Sequence, residues 1–178
     1  MVPRPVTTPA TLYDARMGGT RWLDADQQQA WRTILRHHVL TLDRLDADLQ
    51  AGHQIDLADY EILVRLSEAA EGRVRMSELA RLSLVSRSRL THRVDRLEAG
   101  GWVVRRPCPT DRRGMNAELT IEGRHLLERA APTHVDGVRR YVIDPLQPST
   151  LRALADDLAP ALDELESGRP APSCREPN

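Results

Sequence analysis

The chain has 178 residues, 40% of them hydrophobic and 29% charged, with a net charge of −1. That is about one domain at ~150 residues per domain, and the balance suits a folded soluble protein rather than a disordered one. There is no run of about eighteen apolar residues to cross a membrane, and the opening residues MVPRPVTTPATLYDARMGG lack the basic start and apolar run of a secretory signal.

Two cysteines, Cys108 and Cys174, cannot by themselves form a zinc quartet or a disulfide framework, so a reducing cytoplasm is the expected location. The charge is unevenly spread. Ser86 to Arg113 holds eight arginines against Asp95, Glu98 and Asp111, an excess of five positive charges, which leaves the rest of the chain at −6. Such a run is either a solvated face or a nucleic-acid footprint.

Residues 1–20 carry Pro3, Pro5, Pro9 and Gly18-Gly19 without periodicity and predict a flexible arm, and residues 168–178 predict a Pro-rich flexible tail. From Asp24 to Gln50, Trp31, Ile34, Leu35, Val39, Leu42, Leu45 and Leu49 recur at three and four, predicting one long helix that ends at Gly52. Asp56 is placed to cap a second helix, with Leu57, Tyr60, Leu63, Val64 and Leu66 inward and Gly72 closing it. Ser77 is expected to cap a short helix with Leu79, Ala80 and Leu82. After a break at Ser83-Leu84-Val85, Ser86 is expected to cap another that runs to Glu98 and stops at Gly100-Gly101.

Trp102 to Arg106 is β-rich, Pro107 to Asn116 reads as turn, and Ala117 to Thr120 alternates as a returning strand, which together make a wing. A long helix from near Thr120 towards Asp144 follows, with a kink expected at Pro132 and a stop at Pro145 and Pro148. The last helix spans about Thr150 to Glu166, with Leu151, Leu154, Leu158, Leu162 and Leu165 on one stripe. The expected fold is mainly α: a winged helix-turn-helix lobe at 55–120, with dimerisation helices at 21–54 and 121–167 whose apolar stripes require a second copy.

Two short helices about three residues apart, the second rich in Arg, Ser, Thr and His, form a helix-turn-helix. The major groove admits one helix, and its first turn must carry side chains that reach bases or phosphates. Leu90, Val94 and Leu97 form the inward stripe of that helix. Ser86, Arg87, Ser88, Thr91 and His92 are then candidates at the DNA interface, with base contact expected from the last four; Arg89, Arg93 and Arg96 are candidates for phosphate contact. In the wing, Asp111, Arg112 and Arg113 are the second candidate contact. Arg113 is expected to enter the minor groove, held extended by Asp111.

The runs Met76-Ser77-Glu78-Leu79-Ala80, Ser86 to Thr91 and Val94 to Val103 resemble the MarR family of transcriptional regulators. So do Pro109-Thr110-Asp111-Arg112-Arg113-Gly114 and the following Leu119-Thr120-Ile121-Glu122-Gly123, which match the family's Asp-x-Arg wing and Leu-Thr-x-x-Gly. The resemblance covers residues 22 to 166. It implies a homodimer whose terminal helices pair, whose recognition helix enters the major groove of double-stranded DNA, and which represses nearby genes until a small ligand or an oxidant releases it. In the family, small aromatic acids bind between the dimer helices and the DNA-binding lobe. The resemblance therefore points to Trp22, Trp31, His38 and Tyr60 as lining for an aromatic or phenolic ligand, the competing reading being core or interface packing.

The family's peroxide-sensing branch carries a cysteine near the start of the first long helix, and none stands there. Cys108, beside Arg105 and Arg106, is either a thiol activated by those cations or a small loop residue. The adjacent His37 and His38 face different sides of a helix, and His125 and His134 are nine apart, so no metal site or cofactor is expected. No phosphate loop, His-Glu-x-x-His or Gly-x-Ser-x-Gly is present, so there is no catalytic site to name. A winged module that docks proteins instead of DNA is the rival reading, because fold alone does not decide function. The arginines in both the recognition turn and the wing separate the two.

Overall fold

The computed structural model describes residues 21–83, 86–108 and 111–167. The predicted arm and tail, and Cys174 with them, lie outside the described residues. Two units are distinguished, one ending at His38 and one beginning at Val39.

Helix α1 (Ala25–His53) opens on a reciprocal cap. Gln27 N donates to Asp24 Oδ1 at 2.8 Å and Asp24 N donates to Gln27 Oε1 at 3.1 Å. In the first unit Trp22, Leu23, Trp31, Ile34 and Leu35 are exposed.

In the second unit α1 runs through Gly52, where a stop was expected, and the chain turns at Gln54 with φ 59°. Burial of Ile55 and the cap at Asp56 decide the turn, and neither is visible in helix periodicity. Helix α2 (Leu57–Glu68) is capped by Asp56 as expected, its side chain accepting from Asp59 N at 2.8 Å. It ends at Ala69, ahead of Gly72, which closes a separate 3-10 turn.

A three-residue strand, β1 (Arg73–Arg75), follows; it was not expected, because three residues carry no readable alternation. It delivers the chain into α3 (Met76–Leu82), so Ser77 falls inside the first turn instead of capping it. Helix α4 (Arg87–Ala99), strands β2 (Val103–Cys108) and β3 (Asp111–Leu119) and helix α5 (Ile121–Val138) complete the lobe.

The sheet is antiparallel in the order β1-β3-β2, with Val104 opposite Glu118 and Pro107 opposite Met115. Most of the expected turn at 107–116 is therefore strand. Cross-strand pairing satisfies the backbone of a polar segment that has no apolar alternation to announce it. Helix α5 continues through Pro132 and ends in a π turn (Arg139–Ile143), where Tyr141 Oη donates to Asp48 Oδ2 at 3.0 Å. Pro148 does not stop a helix but begins one, α6 (Pro148–Ser167), in the position that needs no N–H.

The core joins Leu49, Leu63, Leu66, Leu79, Leu97, Val103 and Leu126 from α1 to α5 and the wing. At its edge the rings of Tyr60 and His134 lie 4.6 Å apart, and His134 Nδ1 is buried with no hydrogen-bond partner among the described residues. Burial pushes the pKa of His134 below that of a free histidine, against the pull of Glu61. The unfolded chain thus binds a proton that the native ring resists. Stability should be full above about pH 6.5 and should fall as the pH drops below it towards the lower native value. Melting curves across that range should show the loss in the wild type and a flatter profile in His134→Phe; equal profiles would refute the assignment.

Candidate nucleic-acid interface

Ser86 caps α4 with its Oγ accepting from Arg89 N at 3.4 Å. Leu90, Val94 and Leu97 are each at most 1% exposed, the inward stripe expected from the sequence. Opposite that stripe, Ser88 and His92 face solvent, as do Arg89 and Thr91 on either side. Arg87 opens α4, and Asp111, Arg112 and Arg113 open β3. Their side chains lie outside the described residues.

Arg93 and Arg96 are placed differently from the expectation of phosphate contact. Arg93 Nη1 donates to Asp56 Oδ1 at 2.7 Å and to Asp59 Oδ1 at 3.0 Å. Arg96 Nη2 donates to Asp56 Oδ2 at 2.6 Å and also to Asp59 Oδ2. Counting charge along the chain set these arginines against local acids only, whereas their partners lie 34 to 40 residues away on α2. One signal was available: Asp56 and Asp59 stand three apart, as do Arg93 and Arg96, so each pair shares one side of its helix.

Asp59 is the functional candidate the sequence reading passed over, a carboxylate only 4% exposed. Burial and the neighbouring Asp56 charge raise its pKa despite the two arginines. Burial also acts to raise Asp56, but its hydrogen bonds from Arg96, Asp59 N and Arg93 outweigh it and hold the carboxyl below its ordinary value.

Two arginines of β2 are partnered too. Arg105 lies 2.8 Å from Asp95 and 2.6 Å from Glu98, and Arg106 lies 3.1 Å from Glu118. The two cations beside Cys108, which could activate its thiol on one of the two readings, are thus drawn to carboxylates, while Cys108 ends β2 half-buried. At the root of the wing, Thr120 Oγ1 donates to Gly101 O at 2.8 Å and accepts from Gly123 N at 3.0 Å, capping α5. This is the physical content of the Leu-Thr-x-x-Gly segment: it ties α5 to the base of β2.

Of the expected ligand-lining residues, Tyr60 is a buried core ring stacked on His134, so packing takes it. Trp22, Trp31 and His38 lie in the first unit and are exposed there. The second unit has its own cavity of about 400 Å³, walled by Leu42, Leu57, Ile62 and Leu82 and reached by Glu61 and Arg93. Among the described residues no cluster of three His, Cys, Asp or Glu side chains is arranged to hold a metal, and no helix is long and apolar enough to cross a membrane.

A helix-turn-helix whose second helix buries one stripe and shows Ser, Arg, Thr and His on the other side, followed by a basic wing, defines a DNA-binding transcriptional regulator. Residues 53–114 match a model of the MarR family. The chain is 31% identical over 136 residues to the HTH-type transcriptional regulator PecS of Dickeya dadantii, covering 74% of this chain and 81% of that protein. It is 36% identical over 84 residues to the HTH-type transcriptional repressor YetL of Bacillus subtilis, 47% of this chain and 50% of that one. Among solved structures, Sco3205, a MarR family transcriptional regulator from Streptomyces coelicolor in complex with DNA, superposes with a TM-score of 0.81 at 41% identity, over 86% of this chain and all of that one. The chain belongs to the MarR family, whose members are DNA-binding transcription factors and not enzymes.

Proposed function

We propose that the protein is a cytoplasmic, ligand-responsive repressor that binds a pseudo-palindromic operator as a homodimer. The observation that carries this reading is α4, with Ser88, Arg89, Thr91 and His92 exposed around its outer side. Arg87, Ser88, Thr91 and His92 contact base edges, and Arg89 contacts phosphate. Residues 55–120 form the DNA-binding lobe, and residues 21–54 and 121–167 pair with a second copy. Two-fold symmetry then sets the half-sites about 10 bp apart, or a multiple of that. Similarity to YetL supports repression, and similarity to Sco3205, solved with DNA, supports a duplex as partner.

The response to a small aromatic or phenolic ligand is supported by the cavity. A molecule there meets α1, α2 and the end of α3, and touches the recognition helix through Arg93. The test of the whole reading is a mobility shift with the DNA upstream of the protein's own gene. A protein that forms dimers but shifts no DNA is the winged docking module instead.

The wing makes a second, finer prediction. With Arg113 in the minor groove, Arg113→Ala should weaken operator binding and reduce the slope of log K against log salt by about one. Asp111→Ala should weaken binding too, although it removes a negative charge, because the guanidinium loses its support. Tighter binding by Asp111→Ala would show that the aspartate only repels DNA.

A further inference from the structure

Three buried side chains, Leu90, Val94 and Leu97, hold a 13-residue helix to the lobe. A stripe that narrow fixes where α4 lies but resists rolling weakly, since a few degrees of roll keep all three in contact. Roll matters to recognition, because it sweeps Ser88 and His92 across the groove.

The structure supplies restraint on both flanks of the stripe. On one flank Arg93 and Arg96 cross to Asp56 and Asp59 of α2, each guanidinium bonded to both carboxylates and each carboxylate to both guanidiniums. On the other, Asp95 and Glu98 cross to Arg105 of β2, where Glu98 Oε1 also accepts from Arg105 N at 2.9 Å. The α2 side is the stiffer. Asp56 is itself fixed by capping α2, and Asp59 is buried, 4% exposed, with both arginines bonded to its carboxylate. A multiply bonded, partly buried cluster of this kind holds one geometry, unlike an exposed single pair.

We infer that Asp56, Asp59, Arg93 and Arg96 form a clamp that sets the roll of the recognition helix, so that Arg93 and Asp59 are positioning residues for operator recognition and not DNA contacts. The inference rests on α4 being the helix that reads DNA. It makes an acid buried away from the duplex a determinant of which sequence is bound. It also removes Arg93 from the count of phosphate contacts.

The test is fluorescence anisotropy with operator and with random duplex over a series of salt concentrations, on full-length wild type, Arg93→Gln, Asp59→Asn and the double variant. Each single variant should lose roughly three- to thirtyfold in operator affinity, most of it as a lower operator-to-random ratio, with the salt slope unchanged. The double variant should be no worse than the weaker single, because one clamp is broken in all three. Arg96→Gln, at the 59% exposed end of the cluster, leaves the core untouched and should give the same pattern in milder form, which covers the case of a variant that does not fold.

A slope reduced by about one in Arg93→Gln together with tighter binding by Asp59→Asn would overturn the clamp, since it makes the arginine a phosphate contact and the acid a repulsive charge. Unchanged operator-to-random ratios in all variants would overturn it equally. A wild type that does not prefer the operator would instead defeat the reading of α4 itself, and the clamp with it.

Discussion

Replacing Leu158 and Leu162 with glutamate is expected to turn the protein into monomers that no longer bind operator DNA. Helix α6 runs twenty residues without one buried residue, and Leu154, Leu158, Leu162 and Leu165 stand on one side of it, 40% to 71% exposed. In proteins most of a helix's stability comes from packing its apolar face, so these leucines call for a surface to meet. A second copy offers the same stripe in return. Fully burying an exposed leucine is worth about 1.5–3 kcal/mol, and Leu158 and Leu162 stand 52% and 55% exposed, so the four removed from a dimer withdraw roughly 3–6 kcal/mol before any cost of burying glutamate. That is a quarter to a half of the association energy of a nanomolar complex, about 12 kcal/mol. Sedimentation at micromolar concentration should give dimers for the wild type and monomers for the variant, with the variant's binding to a two-half-site operator lost. A wild-type monomer, or a variant that stays dimeric, would defeat the prediction.

The second large effect is expected at Gly123. A Cβ there would stand 2.1 Å from the carbonyl oxygen of Trp102 and 2.8 Å from Leu119 Cδ1. The carbonyl cannot retreat freely, because it accepts from Thr120 N at 3.1 Å, and Thr120 holds Gly101 and the first turn of α5. Gly123→Ala must therefore push α5 off the base of the wing. The cost should be about 3 kcal/mol or more, a fall of roughly 10 °C in melting temperature. Gly52→Ala is the matched control. It lies inside α1 with no heavy atom within 4 Å of its added Cβ, and alanine should stabilise it by up to about 1 kcal/mol. If Gly123→Ala melts with the wild type, the close approach is not what the glycine is for.

What the sequence by itself determined is local or periodic. The stripe of Leu90, Val94 and Leu97, the caps at Asp56 and Ser86, and the leucine repeat of α6 each rest on residues within one or two turns of each other, and each is found where it was expected. The family likeness rests on the same short-range segments.

Only the tertiary structure decided the features that depend on distant partners. Strand β1 exists because β3 offers it a neighbour, and β3 is long because β1 and β2 satisfy its backbone on both edges. Tyr60 is buried in the core with the ring of His134 of α5 packed against it. Arg93 and Arg96 changed from part of a basic run into half of an ion cluster when folding brought Asp56 and Asp59 beside them. Periodicity reports which side of an element is apolar. It carries no information about which charges, tens of residues apart, will share a few ångströms, and Coulomb attraction acts across that space and not along the chain.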